Sequence, residues 1–378
     1  MTWKLAGSIT VALWLAAASI LGQAHPLEMN LERAQAMLIK EDLGDGIYVF
    51  RAPSDLDYWT ATNSTVIVND EDVTVFNSCT RALTARAVIA EIRKLTSKPV
   101  RVLINSHWHQ DHWSGNDAYS KAFPGLRIIS TAETRDFMSH MGPAFFIDEL
   151  ESFGLTKMRE DLATGIKTGK LPDGSPFTPA VRARKEASVQ MATQFQDEIA
   201  ALPRVLPNSV YRESMTFWSG RREFRLMSVT GDAPYSTVLY LPGSKILVMG
   251  DVLVSPEDGK GAPPWSTGAP TPTTWLDSLR RLEALDLKAI VPGQGPVMHD
   301  KAYLHQTITL FATVIDQIHA AVDRGLVRLS QVQPAVNVDK LGQEYAPGAP
   351  LDEYFPLVVS GFTKKALQET LGFGANDK

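Results

Sequence analysis

Val100-Arg101-Val102-Leu103-Ile104-Asn105-Ser106-His107-Trp108-His109-Gln110-Asp111-His112 is the stretch that decides the fold. Its first half is short, apolar and rich in β-branched residues, which predicts a buried strand over 100–105. Its second half gathers three of the chain's eight histidines, and an aspartate, directly after that strand. In extended backbone, residues two apart point the same way. His107 and His109 therefore converge on one point, and Asp111 and His112, on the turning loop, face a second point close by. Imidazole nitrogen and carboxylate oxygen are the donors zinc takes when no cysteine is offered. A lone histidine is more often a surface or satisfied core residue than a ligand. Three of them with an aspartate at a strand end read as a metal site.

Working outward, 378 residues leave room for one large domain or two ordinary ones. With 44% apolar and 21% charged residues the composition is globular, which excludes a disordered chain. A formal net charge of −5 argues against a dedicated nucleic-acid binder. Cys79 is the only cysteine, so no internal disulfide and no Cys-rich zinc site is available, and it reads as a small apolar packing residue. Residues 1–24 read as a secretory signal peptide: Lys4, an apolar run from Leu5 to Leu21, then the small-x-small Gly22-Gln23-Ala24. A membrane anchor is the competing reading, but the run is short for a span and no basic stop-transfer cluster follows. The expectation is cleavage after Ala24 and an exported product, periplasmic or extracellular, with no anchor left.

Residues 25–45 read as an extension leading into the first strand. Strands are expected over 47–50, 63–68 and 73–76, a helix over 81–95, and a strand over 127–130, with Thr131 capping a further helix. Residues 137–215 read as a helical insertion with no evident strand before Arg212. A lid over the site and a peripheral helical pair fit that insertion equally well. Strands resume at 222–229, and 237–241 with 246–249 make a hairpin around Pro242-Gly243-Ser244-Lys245. A Gly- and Pro-rich loop spans 256–272, a helix 274–285 and a strand 289–291. From 301 the chain is mostly helical, interrupted by prolines over 345–356. This order predicts a layered α/β protein with two sheet-containing halves.

The motif His107-x-His109-x-Asp111-His112 resembles the signature of the metallo-beta-lactamase superfamily, and the likeness runs over roughly residues 44–300. Asn63 to Val68 looks like the family's first core hairpin. Met249-Gly250-Asp251 is similar to its later strand-end Gly-Asp, and Val291-Pro292-Gly293-Gln294-Gly295-Pro296 to its Pro-Gly-His-Gly segment. The resemblance implies an αββα four-layer sandwich with metals at one edge between the sheets. The domain would span 25–300, carrying the 137–215 insertion, with 301–378 as a helical extension. It implies a first site of His107, His109 and Asp232, and a second of Asp111, His112, Asp251 and Gln294, with Asp251 able to bridge. Asp232, in Thr230-Gly231-Asp232-Ala233-Pro234, stands where the family has a histidine. So does Gln294, and Asn77 stands where a structural aspartate is usual. None of His140, His299, His305 or His319 has the spacing of a replacement. Carboxylate oxygen is an accepted zinc donor, whereas an amide oxygen is a weak one. The expectation is one tightly held zinc and a weaker second, with iron possible.

The implied function is a metal-dependent hydrolase of a small-molecule substrate: an ester, thioester, lactone or beta-lactam. Hydroxide generated at the metal attacks, and Asp111 is the catalytic residue that orients water and passes on a proton. The competing reading is a metal- or ligand-binding protein of the same fold with little hydrolytic activity. The altered positions 232 and 294 favour it, and the retained strong ligands weigh against it. Di-iron oxidoreductases of the family stay open too, although no flavin-binding segment is evident. Tyr58, Trp59, Trp113 and Tyr235 read equally as pocket lining or as core.

Overall fold

Apolar residues alternate along the strands, and that alternation sorts the chain into layers. The computed structural model describes residues 30–52, 62–140, 155–172, 174–255, 271–345 and 354–372. One sheet runs β1 (Ile39–Gly44), β2 (Ile47–Arg51), β3 (Asn63–Val68), β4 (Val73–Phe76), β5 (Val100–Ile104), β6 (Arg127–Thr131) and β7 (Ser209–Tyr211), in that spatial order. It is antiparallel from β1 to β4 and parallel from β4 to β7. The other holds β8 (Ser214–Ser219), β9 (Arg222–Val229), β10 (Ser236–Leu241), β11 (Ile246–Val248) and β12 (Ala289–Val291), ordered β12-β11-β10-β9-β8. Only β11 and β12 are parallel there.

Successive strand residues face opposite sides of a sheet. On β5, Val102 and Ile104 enter the core between the sheets, where they join Phe76, Leu239, Leu241, Ile246, Val248 and Val291. Leu103 faces the other way, onto Ala85, Val88, Ile89 and Ile92 of helix α2 (Ala82–Leu95), and a register shift between Val100 and Val102 puts Val100 on that side too. On β10, Leu239 and Leu241 point inward, while Val238 and Tyr240 face the opposite helical layer. Helix, sheet, sheet, helix is the expected αββα sandwich. Helices α1 (Leu31–Met37) and α3 (Asn116–Ala122) lie with α2 on the first sheet's side. Thr131 caps α4 (132–140) as expected, its Oγ1 accepting the Thr134 N–H at 3.0 Å.

Between α4 and β7 run α5 (Thr156–Thr168) and α6 (Pro179–Ala200), packed on each other through Met158, Ala192, Phe195 and Ile199. The outer layer of the second sheet is α7 (Pro272–Glu283), α8 (Ala302–Asp323), α9 (Leu329–Val332), α10 (Asp339–Tyr345) and α11 (Tyr354–Thr370). Trp275, Phe311 and Phe362 join α7, α8 and α11, with ring centroids 4.9 Å apart for Trp275–Phe311 and 4.1 Å for Phe311–Phe362. The helices after residue 301 share one core with β10 to β12, so residue 300 marks no break in that core.

Two expectations are corrected. Residues 25–45 are not only an extension, because Ile39–Gly44 is an edge strand paired with β2. Its Lys40, Glu41 and Asp42 face water, as an edge strand allows, and they hide the alternation. The segment 137–215 is not strand-free before Arg212: Ser209–Tyr211 extends the first sheet beside β6, and β8 begins at Ser214. Three residues carry no readable period, so that strand is defined by its partner. The expected signal peptide lies outside the described residues, as do Tyr58, Trp59, residues 256–270 and residues 346–353; the expected break over 345–356 ends sooner than read, because Tyr354, Phe355 and Pro356 already belong to α11. No helix among the described residues is long and apolar enough to cross a membrane.

Candidate metal centre

β5 delivers the histidine motif to the edge between the sheets, and both sheets hold it there. Ser106 carbonyl accepts the Thr237 N–H of β10 at 2.6 Å, and the Ser106 N–H donates to Asn77 Oδ1 at 2.9 Å. Asn105 and Asn116 exchange two side-chain hydrogen bonds of 3.0 and 2.9 Å. The motif then tightens into a 3₁₀ turn over Gln110–His112, and Trp113 Nε1 donates to the Trp108 carbonyl at 2.9 Å. The far end of the insertion lies against this loop: Leu202 and Leu206 pack with Trp108, Trp113 and Phe137.

Asp232 arrives on the turn after β9. A Cβ on its neighbour Gly231 would come within 2.8 Å of the Val252 backbone, so this close approach requires glycine. Asp251 arrives on a turn after β11, and Gln294 after β12. Asn63 secures that last loop, with Nδ2 donating to the carbonyls of Pro292 at 2.9 Å and Gly295 at 2.8 Å. Every expected site residue is thus brought to one edge. Thr62, which the sequence did not single out, joins them by donating to Asp111 Oδ2 at 2.8 Å.

Donor atoms of His107, His109, Asp232 and Asp251 all lie within 4.8 Å of one another. His109 Nδ1 is 3.1 Å from Asp232 Oδ2, and His107 Nε2 is 3.8 Å from the same oxygen. Three buried atoms here have no hydrogen-bond partner among the described residues: His107 Nε2, Asp232 Oδ1 and Asp251 Oδ1. Leaving each unmet costs about 1–3 kcal/mol, more for a charged group, so a native cluster of three calls for a missing partner. A divalent cation fits: two imidazoles and two carboxylates are a zinc or iron donor set. Ser106 Oγ lies 2.9 Å from His107 Nδ1 and can take its proton, which leaves Nε2 as the free lone pair. The second group, Asp111, His112 and Asp251, is tied together internally. His112 Nε2 is 3.0 Å from Asp111 Oδ2 and 3.2 Å from Asp251 Oδ2.

The electrostatics follow from burial and from these neighbours. Burial pushes the His107 pKa well below the ordinary value, helped by His112 and His109, which keeps it neutral as a ligand must be. Burial also opposes charge on His109, but Asp232 outweighs it and raises that pKa. Burial raises Asp232 against the pull of His109. For Asp111, burial is outweighed by His112 and His109, and its pKa falls to about 2. Lys365 of α11 is a further residue that the sequence reading passed over. Burial lowers its pKa to about 8, with the Asp232 carboxylate opposing, so the last helix carries a lysine into the field of the centre.

Gly293 gives one direct check on this packing. An added Cβ would meet Asp251 Oδ1 at 1.9 Å and the Gly250 backbone at 2.5 Å. Gly293→Ala is expected to push Asp251 out of place and to weaken metal binding by about 10- to 100-fold, read by competitive zinc titration. An unchanged affinity would show that Asp251 is not a ligand.

The description "Metallo-beta-lactamase superfamily" matches residues 57–294. A linear primary-alkylsulfatase from Pseudomonas sp. (strain ATCC 19151) is 24% identical over 275 residues, which cover 72% of this chain and 49% of that protein. The chain therefore spans about half the length of this relative. Among solved structures, a metallo-beta-lactamase from Pontibacter korlensis aligns at 14% identity over 73% of this chain and 99% of its own, with a TM-score of 0.48. The DIM-1 metallo-beta-lactamase aligns at 16% identity over 73% and 97%, with a TM-score of 0.47. With the family description matched over most of its length, and with the four layers and the motif in place, the chain belongs to the metallo-beta-lactamase superfamily.

Proposed function

We propose that the protein is a metal-dependent hydrolase of a small-molecule ester, exported after loss of residues 1–24. The observation that carries the reading is the placing of an ionised, partly open carboxylate, Asp111, beside four converging donors with three unmet buried atoms. His107, His109, Asp232 and Asp251 would hold the cation, with zinc the choice for this donor set and iron the alternative. A bound cation supplies Lewis acidity and lowers the pKa of water to about 7.

The chain's own residues supply the rest. Asp111 stays ionised at neutral pH and can only accept hydrogen bonds. Thr62 Oγ1 at 2.8 Å and Gln294 Nε2 at 3.2 Å both donate to its Oδ2, which fixes the carboxylate plane. So held, Asp111 orients a water, takes its proton and returns that proton to the leaving group. The alkylsulfatase relative adds sulfate monoesters to the substrate classes, beside carboxylic esters, thioesters, lactones and beta-lactams.

A panel of chromogenic esters, thioesters, sulfate esters and a beta-lactam tests this on the zinc-loaded full chain. Asp111→Asn keeps the shape but loses the base. It is expected to lower kcat on the preferred substrate by about 10²- to 10⁴-fold while metal content stays unchanged. Failure of every class in a fully loaded protein would leave the non-hydrolytic, ligand-binding reading.

A further inference from the structure

His112 is gripped by an amide whose orientation is fixed from its other end. The Ser106 N–H needs an acceptor, so the atom 2.9 Å away must be Asn77 Oδ1. Asn77 Nδ2 then faces His112 Nδ1 at 2.8 Å. An amide NH₂ only donates, so Nδ1 is the accepting nitrogen and the ring proton sits on Nε2. That nitrogen faces Asp111 Oδ2 at 3.0 Å and Asp251 Oδ2 at 3.2 Å. For Nε2 to offer a lone pair to a cation, its proton would have to move to Nδ1, and the Asn77 amide donor that faces Nδ1 opposes that move. An aspartate at 77 would accept from Nδ1–H and leave Nε2 free, which is how outer partners normally prepare a histidine ligand. The strand-end Asn77 adopts a φ of +64°, a conformation asparagine tolerates better than most residues, so its place in the loop is secure.

Gln294 repeats the pattern. Its Nε2 lies 3.2 Å from both Asp111 Oδ2 and Asp251 Oδ2, so a donor sits between the two carboxylates where a positive ion would sit. Thr62 adds a hydroxyl to Asp111 Oδ2. The contrast with the neighbouring cluster is direct. Among the described residues, the buried atoms without partners include His107 Nε2, Asp232 Oδ1 and Asp251 Oδ1, and none from Asp111, His112 or Gln294.

We infer that this chain holds a single metal ion, in the His107–His109–Asp232–Asp251 cluster, and that Asn77 and Gln294 turn the adjacent position into a fixed hydrogen-bond block. N–H groups of His112 and Gln294 stand where the family resemblance implies a second cation. Asp111, His112 and Gln294 then act as a positioning network and not as the ligands expected from the sequence. The inference does not depend on the chain being a hydrolase.

The test uses the full chain with zinc alone. Native mass spectrometry after buffer exchange from excess zinc is expected to find about one ion per chain in the wild type and about one in Gln294→His, because the His112 tautomer still blocks the second position. Asn77→Asp combined with Gln294→His is expected to retain about two. Histidine ¹⁵N NMR reads the tautomer without any metal or activity: His112 should show a protonated Nε2 and an unprotonated Nδ1, reversed in Asn77→Asp. Two ions in the wild type would overturn the inference. Two in Gln294→His alone would overturn the role of Asn77, as would a wild-type His112 protonated on Nδ1. Should the double variant not fold, the wild-type stoichiometry and the NMR spectrum still decide.

Discussion

Asp232→Ala is expected to empty the metal centre as completely as His109→Ala. Asp232 is 3% exposed, its Oδ2 lies 3.1 Å from His109 Nδ1, and its Oδ1 has no hydrogen-bond partner among the described residues. Truncation removes one of four donors and the anion that raises the proton affinity of His109. Outer partners of metal ligands are worth about 10- to 100-fold in affinity, so a direct donor should cost more than about 100-fold. Metal content after dialysis reads the effect, and far-UV circular dichroism confirms that the fold persists. Asp232→His, which restores the family's usual residue at this turn, should keep its metal. An Asp232→Ala protein that retains a full complement would reduce Asp232 to a bystander.

Trp275→Ala is expected to be the most destabilising single change outside the centre. The side chain is 1% exposed and wedged among Phe311 and Phe362, and its Nε1 donates to the Val252 carbonyl at 3.2 Å. Deleting a buried aromatic costs about 3–5 kcal/mol through lost burial and the cavity left behind. The midpoint of urea unfolding should fall accordingly at unchanged slope. Because Val252 follows Asp251, metal affinity should fall as well. Trp275→Phe keeps most of the volume but leaves the buried Val252 carbonyl without its donor, so it should cost about 1–3 kcal/mol, less than the alanine change. A cost that small for the alanine variant would show that the outer helices are not part of the structural core.

Those two residues also mark what the sequence could and could not reveal. β3 and β4 were readable to the residue because a polar turn bounds each apolar run and neither face meets water. The cluster His107 to His112 was readable because its donors crowd one strand end, whereas Asp232, Asp251 and Gln294 could be named only through the family resemblance. Helix α8 announced an apolar face, but amphipathicity does not say what the face packs on. Its partnership with Trp275 and the second sheet had to be seen. β1 was hidden by the charges an edge strand tolerates, and β7 by its length. At the site, Asn77 and Gln294 were visible as altered residues. Their effect rests on which end of an amide faces which neighbour, and that is set by Ser106, 29 positions from Asn77 in the chain.

The four donors come from both sheets: His107 and His109 follow β5 of the first, whereas Asp232 follows β9 and Asp251 follows β11 of the second. An ion held by all four is a reversible clasp across the sandwich, in a chain whose lone buried cysteine offers no covalent one. Its grip obeys mass action, growing as RT ln(1 + [metal]/Kd) and reaching about 2.7 kcal/mol at one hundred times Kd. Free metal in the surroundings would therefore set the cohesion of the sandwich as well as its chemistry. A chelator would loosen the scaffold while it silenced the site.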